Sequence, residues 1–115
     1  MEGRLARRSG RCEFQAPIQI DGPDGTTIAL TENIGPGGLF VATSNPSRVG
    51  DRLSLIFRMW HGDTPIVVDG EVRWVRASPL PGARGGARGM GIRFTNLSLS
   101  ASATVQEFLR RSNGT

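Results

Sequence analysis

The chain has 115 residues and a formal charge of +4, and all 14 of its basic residues are arginine. This length fits one domain. Cys12 is the single cysteine and His61 the single histidine, which excludes an internal disulfide and leaves too few soft ligands for a structural zinc site. No apolar stretch approaches the roughly 20 residues that cross a bilayer, so we expect a soluble, cytoplasmic protein. We also expect no cofactor.

The positive charge is concentrated at the N-terminus. Residues 1–11 contain one acidic residue, Glu2, and four arginines: Arg4, Arg7, Arg8 and Arg11. This segment therefore carries +3 of the total charge of +4. Such a concentration favours one anion held at one place, whereas a polynucleotide binder usually spreads its charge over a face. We therefore predict a flexible arginine-rich arm over residues 1–12 and a single domain over residues 13–115.

The body of the chain alternates apolar and polar residues, the pattern of half-buried strands. Strands are predicted at residues 14–20, 26–30, 39–43, 52–60, 65–76 and 90–94. Gly70 is expected to mark a bulge or a bend in the longest of them. Six strands at this spacing predict an all-β fold, an antiparallel barrel or sandwich.

The connections are rich in turn-forming residues. Residues 21–25 predict a five-residue hairpin loop, and residues 33–38 a glycine-rich turn. Residues 77–89 predict a loop. Only the end of the chain looks helical: Ala101, Val105, Phe108 and Leu109 share a face over residues 101–111, and Ser98, Ser100 or Ser102 can cap it.

The inventory of reactive side chains disfavours an enzyme. One histidine, no lysine and no tyrosine leave few general bases. Cys12 is better explained as a small residue entering a strand, and His61 as part of a turn. Trp60 and Trp74 are expected to pack in the core or at a barrel end.

Two features together suggest a binding site. Arginine can hold a phosphate with two hydrogen bonds, contact guanine O6 and N7, or stack on its ring, and Arg7 and Arg11 are four residues apart. In the turn, Asn33 offers an amide to a purine edge. Gly35, Gly37 and Gly38 allow positive φ and a close approach of backbone N–H groups to a ligand. This combination suits a guanine nucleotide.

These residues resemble the motifs of the PilZ family, receptors for the bacterial second messenger cyclic di-GMP. Arg7-Arg8-Ser9-Gly10-Arg11 matches the family's Arg-x-x-x-Arg, and Asn33-Ile34-Gly35-Pro36-Gly37-Gly38 matches its Asp/Asn-x-Ser-x-x-Gly. The later strands are similar to the variant of myxobacteria-like sequences. The resemblance covers nearly the whole chain and implies a six-stranded antiparallel barrel with one C-terminal helix.

The resemblance also implies a function. We expect a non-enzymatic cyclic di-GMP receptor whose arm becomes ordered on the ligand and which signals to a protein partner. Arg7, Arg8 and Arg11 are the expected phosphate and guanine contacts, with Asn33, Gly35, Gly37 and Gly38 on the other side of the base. One alternative is a protein-interaction adaptor that no longer binds nucleotide. Another is nucleic-acid binding through the arm and residues 84–88, which a single Arg-Gly-Gly element supports only weakly.

Gly35 departs from the family motif, which has serine there. The missing hydroxyl removes one hydrogen bond to the ligand, about 0.5–1.5 kcal/mol or three- to tenfold in affinity. Because the family places serine here, we expect a negative φ at Gly35.

Overall fold

The computed structural model describes residues 10–60, 64–77 and 88–112. The predicted contacts Arg7 and Arg8, as well as His61 and Arg84, lie outside these ranges. The described residues form seven strands and one helix: β1 (Cys12–Glu13), β2 (Pro17–Gly22), β3 (Gly25–Gly35), β4 (Gly38–Ala42), β5 (Arg52–Phe57), β6 (Ile66–Arg76), β7 (Gly89–Phe94) and α1 (Leu99–Ser112).

Six of the strands close into an antiparallel barrel. Their order is β3-β2-β5-β6-β7-β4, and β4 pairs back onto β3. The seventh strand, β1, is short and pairs with β3 on the same edge as β2. Cys12 lies opposite Ile34, and Glu13 lies opposite Asn33. The predicted barrel with a C-terminal helix is therefore confirmed, with β1 as an addition.

The alternating apolar residues fill the barrel. Ile18, Leu55 and Val72, from three neighbouring strands, are completely buried. Helix α1 closes one end with Val105 and Leu109. Two further aromatic contacts, Phe108 against Phe14 and against Trp60, seal this end edge to face with ring centroids 5.2 and 5.9 Å apart. The core thus follows the predicted pattern, and Trp60 packs at the barrel end.

The helix begins at Leu99, directly after the first of the three serines that were predicted as possible caps. Ser98 is the residue that caps it, because its Oγ accepts a hydrogen bond from the Ala101 amide at 3.1 Å. At the other end, Glu107 pairs with Arg110 and Arg111 on the surface, and these contacts lower the pKa of Glu107.

Two predicted details are wrong. The hairpin loop between β2 and β3 has two residues, Pro23 and Asp24, rather than five, because Gly22 and Gly25 pair directly. The bulge in β6 lies at Arg73 rather than at Gly70, since the ladder to β7 shifts between Val72 and Trp74. Gly70 stays in register, and a Cβ there would lie only 2.5 Å from Ile92 Cγ2. Lack of space, not a bend, explains this glycine.

The strand predicted at residues 14–20 begins only at Pro17, and one buried hydroxyl bridges the interval of residues 14–16 between β1 and β2. Thr31 of β3 donates from Oγ1 to the Phe14 carbonyl at 2.5 Å and accepts from the Ala16 amide at 2.9 Å. Thr31 is 2% exposed, so neither backbone group can turn to water there without opening the sheet. The hydroxyl therefore fixes the path by which the N-terminal segment reaches the second half of β3.

We expect Thr31→Val to destabilise the barrel. Valine has the same shape but leaves the buried Phe14 carbonyl and Ala16 amide unpaired, a loss of about 1–3 kcal/mol in the free energy of unfolding. Urea denaturation measures it. Thr27→Val is the matched control, because Thr27 is exposed on the same strand. Equal unfolding free energies for the two variants would contradict the assigned role of the hydroxyl.

Candidate functional site

The predicted glycine-rich turn is shorter than expected. Asn33 and Gly35 belong to the end of β3 and Gly38 to the start of β4, with Gly35 paired to Gly38, so that only Pro36 and Gly37 form the turn. Gly35, Gly37 and Gly38 all lack a positive φ. The negative φ expected at Gly35 is confirmed, and left-handed backbone does not explain the glycines of this hairpin.

Lack of space for a side chain explains Gly38 but not Gly37. A Cβ on Gly38 would lie 2.1 Å from the Ile92 carbonyl oxygen, because β4 packs closely against β7 here. A Cβ on Gly37 would meet nothing within 4 Å. The barrel therefore requires glycine at position 38, whereas Gly37 presents an open stretch of backbone at the surface.

Strand β1 carries Arg11 to this hairpin. Gly10, at φ +69°, turns the chain against Pro36, whose Cδ lies 3.3 Å from the position of a Cβ on Gly10. Arg11 then donates from Nε to Asn33 Oδ1 at 2.8 Å. Its Cγ and Nη1 lie 3.3 Å from the position of a Cβ on Gly35. Arg11 thus lies along β3 directly beside Gly35, and a Cβ there would require its side chain to shift by a few tenths of an ångström.

The site is positively charged. Partial burial lowers the pKa of Arg11, but a guanidinium remains protonated at neutral pH. Arg11 borders a shallow groove of about 180 Å³ between the hairpin and the neighbouring strands β6 and β7. Two more arginines line this groove, Arg73 and Arg93, the latter paired with Glu71 at 3.1 Å. An anion in the groove would meet arginines from β6, from β7 and from the position just before β1.

The bulge at Arg73 adds an aromatic ring to the groove. Because it shifts the alternation by one residue, Arg73 and Trp74 both lie on the outer surface and Val75 returns to the core. Trp74 crosses over Gly91 and stacks on Phe40, with ring centroids 4.9 Å apart. It remains 49% exposed. Trp74 thus packs against the barrel from outside, which the sequence analysis missed, although the three-residue interval between the inward residues Val72 and Val75 is the signal for it.

The structure brings together five of the predicted site residues. Arg11, Asn33 and Gly35 are in direct contact, and Gly37 and Gly38 line the same groove as Arg11. Among the described residues, no group of three or more His, Cys, Asp or Glu side chains is placed to hold a metal ion. The helix that the structure describes is not long and apolar enough to cross a membrane.

The family follows from the sequence match. A model of the PilZ domain matches residues 5–111. The chain belongs to the PilZ domain family. The matched range includes Arg11, the β3–β4 hairpin and the bulge of β6.

Several solved structures share the fold. The Bacillus subtilis inhibitor of motility, MotI/DgrA, superposes with a TM-score of 0.74 at 20% identity, over 88% of this chain and 47% of that one. The PilZ domain of Escherichia coli YcgR, solved with c-di-GMP, gives a TM-score of 0.69 at 16% identity over 89% and 87% of the two chains. PlzA of Borreliella burgdorferi, also in complex with c-di-GMP, gives 0.52 at 17% identity over 84% and 33%. The chain thus spans about half the length of MotI. No curated protein matches it in sequence.

The contrast between the two adjacent glycines is testable. We expect Gly38→Ala to lower the free energy of unfolding by about 1–3 kcal/mol, because its Cβ would force β4 away from the backbone of β7. Gly37→Ala is the control, and its stability should equal that of the wild type. Thermal melts of both variants, followed by circular dichroism, provide the measurement. A Gly37→Ala variant as unstable as Gly38→Ala would mean that the hairpin is packed differently.

Proposed function

We propose that this PilZ domain is a non-enzymatic receptor for cyclic di-GMP that passes the signal to a protein partner. The observation that carries the proposal is the hydrogen bond from Arg11 to Asn33, at 2.8 Å. It joins the two halves of the family motif, which are 22 residues apart in the chain. The structures of YcgR and PlzA with c-di-GMP, members of the same fold, support the choice of ligand.

Arg11 and Asn33 divide the recognition of the nucleotide. The Asn33 Oδ1 atom accepts from Arg11, so the Nδ2 group of Asn33 is the one that can donate to the O6 and N7 acceptors of guanine. The Arg11 guanidinium has further N–H groups for a phosphate or for the guanine face. Because the contact with Asn33 restricts the Arg11 side chain, less conformational entropy is lost on binding.

The groove beside Arg11 supplies the remaining contacts. Gly37 exposes backbone that a base can approach closely, and Trp74 offers an indole ring on which guanine can stack. Arg73 lies next to this ring and can pair with a phosphate. The bulge of β6 therefore contributes an aromatic and a cationic contact to one ligand.

Within the arginine arm, residues 1–12, the part before Gly10 is proposed to bind the face of the ligand that points away from the hairpin. Gly10 turns the chain at Pro36, the neighbour of Gly37 in the groove lining. Arg7 and Arg8 are then the additional phosphate and guanine contacts. Ordering of the arm on the ligand is the proposed signal to the partner.

The competing proposal is a PilZ adaptor that binds a protein without nucleotide. The specific observation in its favour is that Arg11 lies against Gly35, the position of the motif's missing serine hydroxyl. If that contact closes the site, the arm acts on the partner independently of cyclic di-GMP. The two proposals differ in whether the nucleotide changes capture of the partner.

Calorimetric titration with cyclic di-GMP tests the receptor. We expect measurable binding that weakens with salt, and a loss of about 10- to 150-fold for Arg11→Ala, because charge-assisted hydrogen bonds contribute about 1.5–3 kcal/mol. The double variant Arg7→Ala/Arg11→Ala should bind more weakly still. In hydrogen exchange, the amides of residues 1–11 should gain protection when the nucleotide binds.

Arg52→Ala is the matched control for this titration. Arg52 is an exposed arginine of β5, away from the hairpin, and its removal changes the net charge equally. Its affinity should equal that of the wild type at the same salt concentration. No heat and no competition at high micromolar nucleotide would refute the receptor and favour the adaptor. Equal losses for Arg52→Ala and Arg11→Ala would refute the assigned site.

The hydroxyl that the motif lacks can be restored with Gly35→Ser. The negative φ accommodates serine, and its Cβ would meet only the flexible Arg11 side chain and the Gly10 carbonyl, at 3.3–3.4 Å. We expect three- to tenfold tighter binding than Gly35→Ala, which adds the same Cβ without the hydroxyl. Calorimetry gives the affinities, and melts should show little change in stability. Gly35→Ser binding no tighter than Gly35→Ala would rule out this account.

A further inference from the structure

The outer surface of β3, β2, β5 and β6 carries an apolar patch away from the Arg11 site. It consists of Leu30, Ile28, Pro17, Ile56 and Val67, which we call the outer apolar face. Leu30 is 56%, Ile28 64% and Val67 69% exposed, although each belongs to a regular strand. A contiguous apolar patch on a small soluble domain usually marks an interaction surface.

The strand register makes this face continuous. Ile28 lies opposite Gln19, Gln19 opposite Ile56, and Ile56 opposite Val67, which gives one row across four strands. Leu30 lies opposite Pro17 in the next row. The central row is uncharged, so a partner that covers it need not desolvate an ionised group there.

Charges of opposite sign border the central row. Arg58 follows Ile56 by two residues on one side and is exposed. On the other side, two residues before Ile56, Ser54 lies between Asp21 and Asp69 in the register. Ile56 is therefore midway between a cation and a pair of carboxylates. A two-fold axis that runs across the strands at Ile56 would place Arg58 of one copy over Asp21 and Asp69 of the other.

We propose that the outer apolar face is a self-association surface, on which a second copy of this chain docks about such a two-fold axis. An isologous interface must be self-complementary, and about this axis the central row meets itself while Arg58 meets the two carboxylates. Arg58 of each copy would pair with Asp21 and Asp69 of the other copy. These ion pairs lie at the rim of a central row in which Ile56 meets Ile56. A different arrangement, with the axis along the strands, would put Arg58 against Arg58.

The size of the face determines the strength of the dimer. Four strands about 4.8 Å apart and three rows about 6.8 Å apart cover roughly 400 Å² per copy. This is about half of the 800 Å² per partner that stable complexes bury. An open groove of about 1020 Å³ runs from this face, at Ile28 and Ile56, past Arg58 to Trp60. The same axis brings the β2–β3 turn at Pro23 and Asp24 toward the Trp60 end of this groove, which adds contact. The dimer should be weak and dependent on concentration.

Sedimentation velocity of the full chain from about 10 µM to about 1 mM tests the proposal. We expect a monomer–dimer equilibrium in the wild type, and a shift of at least tenfold toward monomer in Val67→Glu, which places two carboxylates together in the dimer. Val49→Glu is the matched control, because Val49 is 62% exposed outside this face, and it should dimerise like the wild type. Melts should show that both variants are folded.

A charge exchange distinguishes this dimer from other associations. Arg58→Asp should shift the equilibrium toward monomer, and the double variant Arg58→Asp/Asp21→Arg should recover part of the dimer, because the ion pair with position 21 re-forms with opposite polarity while the Asp69 carboxylate still faces position 58. A wild type that stays monomeric at 1 mM would overturn the proposal and leave the face to a different protein. A dimer that Val67→Glu leaves unchanged would also overturn it, since another surface would then be responsible.

Discussion

The hydroxyl of Thr31 determines how the segment before the barrel meets the rest of the molecule. It satisfies the two backbone groups at the break between β1 and β2, so the chain can leave one strand and continue along the same edge of β3. Only on this path does Arg11 reach Asn33 and Gly35. The geometry of the candidate site therefore depends on a buried contact outside it, between residues that make no contact with a ligand.

The hairpin at Pro36 and Gly37 combines two requirements in adjacent residues. Gly38 allows β4 to approach β7 and so belongs to the barrel, whereas Gly37 projects no atom into the groove and belongs to the surface. A glycine motif read from sequence cannot separate these requirements. The structure separates them because the space around each Cβ position differs. Stability and ligand affinity should consequently respond to different glycines of one motif.

Much of the fold follows from the sequence because the inward positions alternate so regularly. In β5, Leu53, Leu55 and Phe57 point to the core and Ser54 does not, as the period-2 pattern predicts. Turn lengths were not predictable, because they depend on which residues pair across the hairpin, such as Gly22 with Gly25. The position of β1 depends on contacts with another strand, namely the Thr31 hydroxyl and the backbone hydrogen bonds from Phe14 to Glu32 and from Thr31 to Ala16.

The residues of the candidate site that belong to linear motifs were predictable from the sequence. The residues that strand pairing brings to the site were missed. Arg11 and Asn33 belong to short sequence patterns, and the structure places them 2.8 Å apart. The contribution of β6 comes from a register shift against β7, for which the sequence of β6 offers only the three-residue interval between Val72 and Val75 as a signal. The bulge also has a consequence for how such a domain can diversify. On either side of the bulge, Val72 and Val75 point into the core, whereas Arg73 and Trp74 lie on the outer surface. Substitutions at Arg73 and Trp74 can therefore alter the surface chemistry of the groove while the interior of the barrel stays constant.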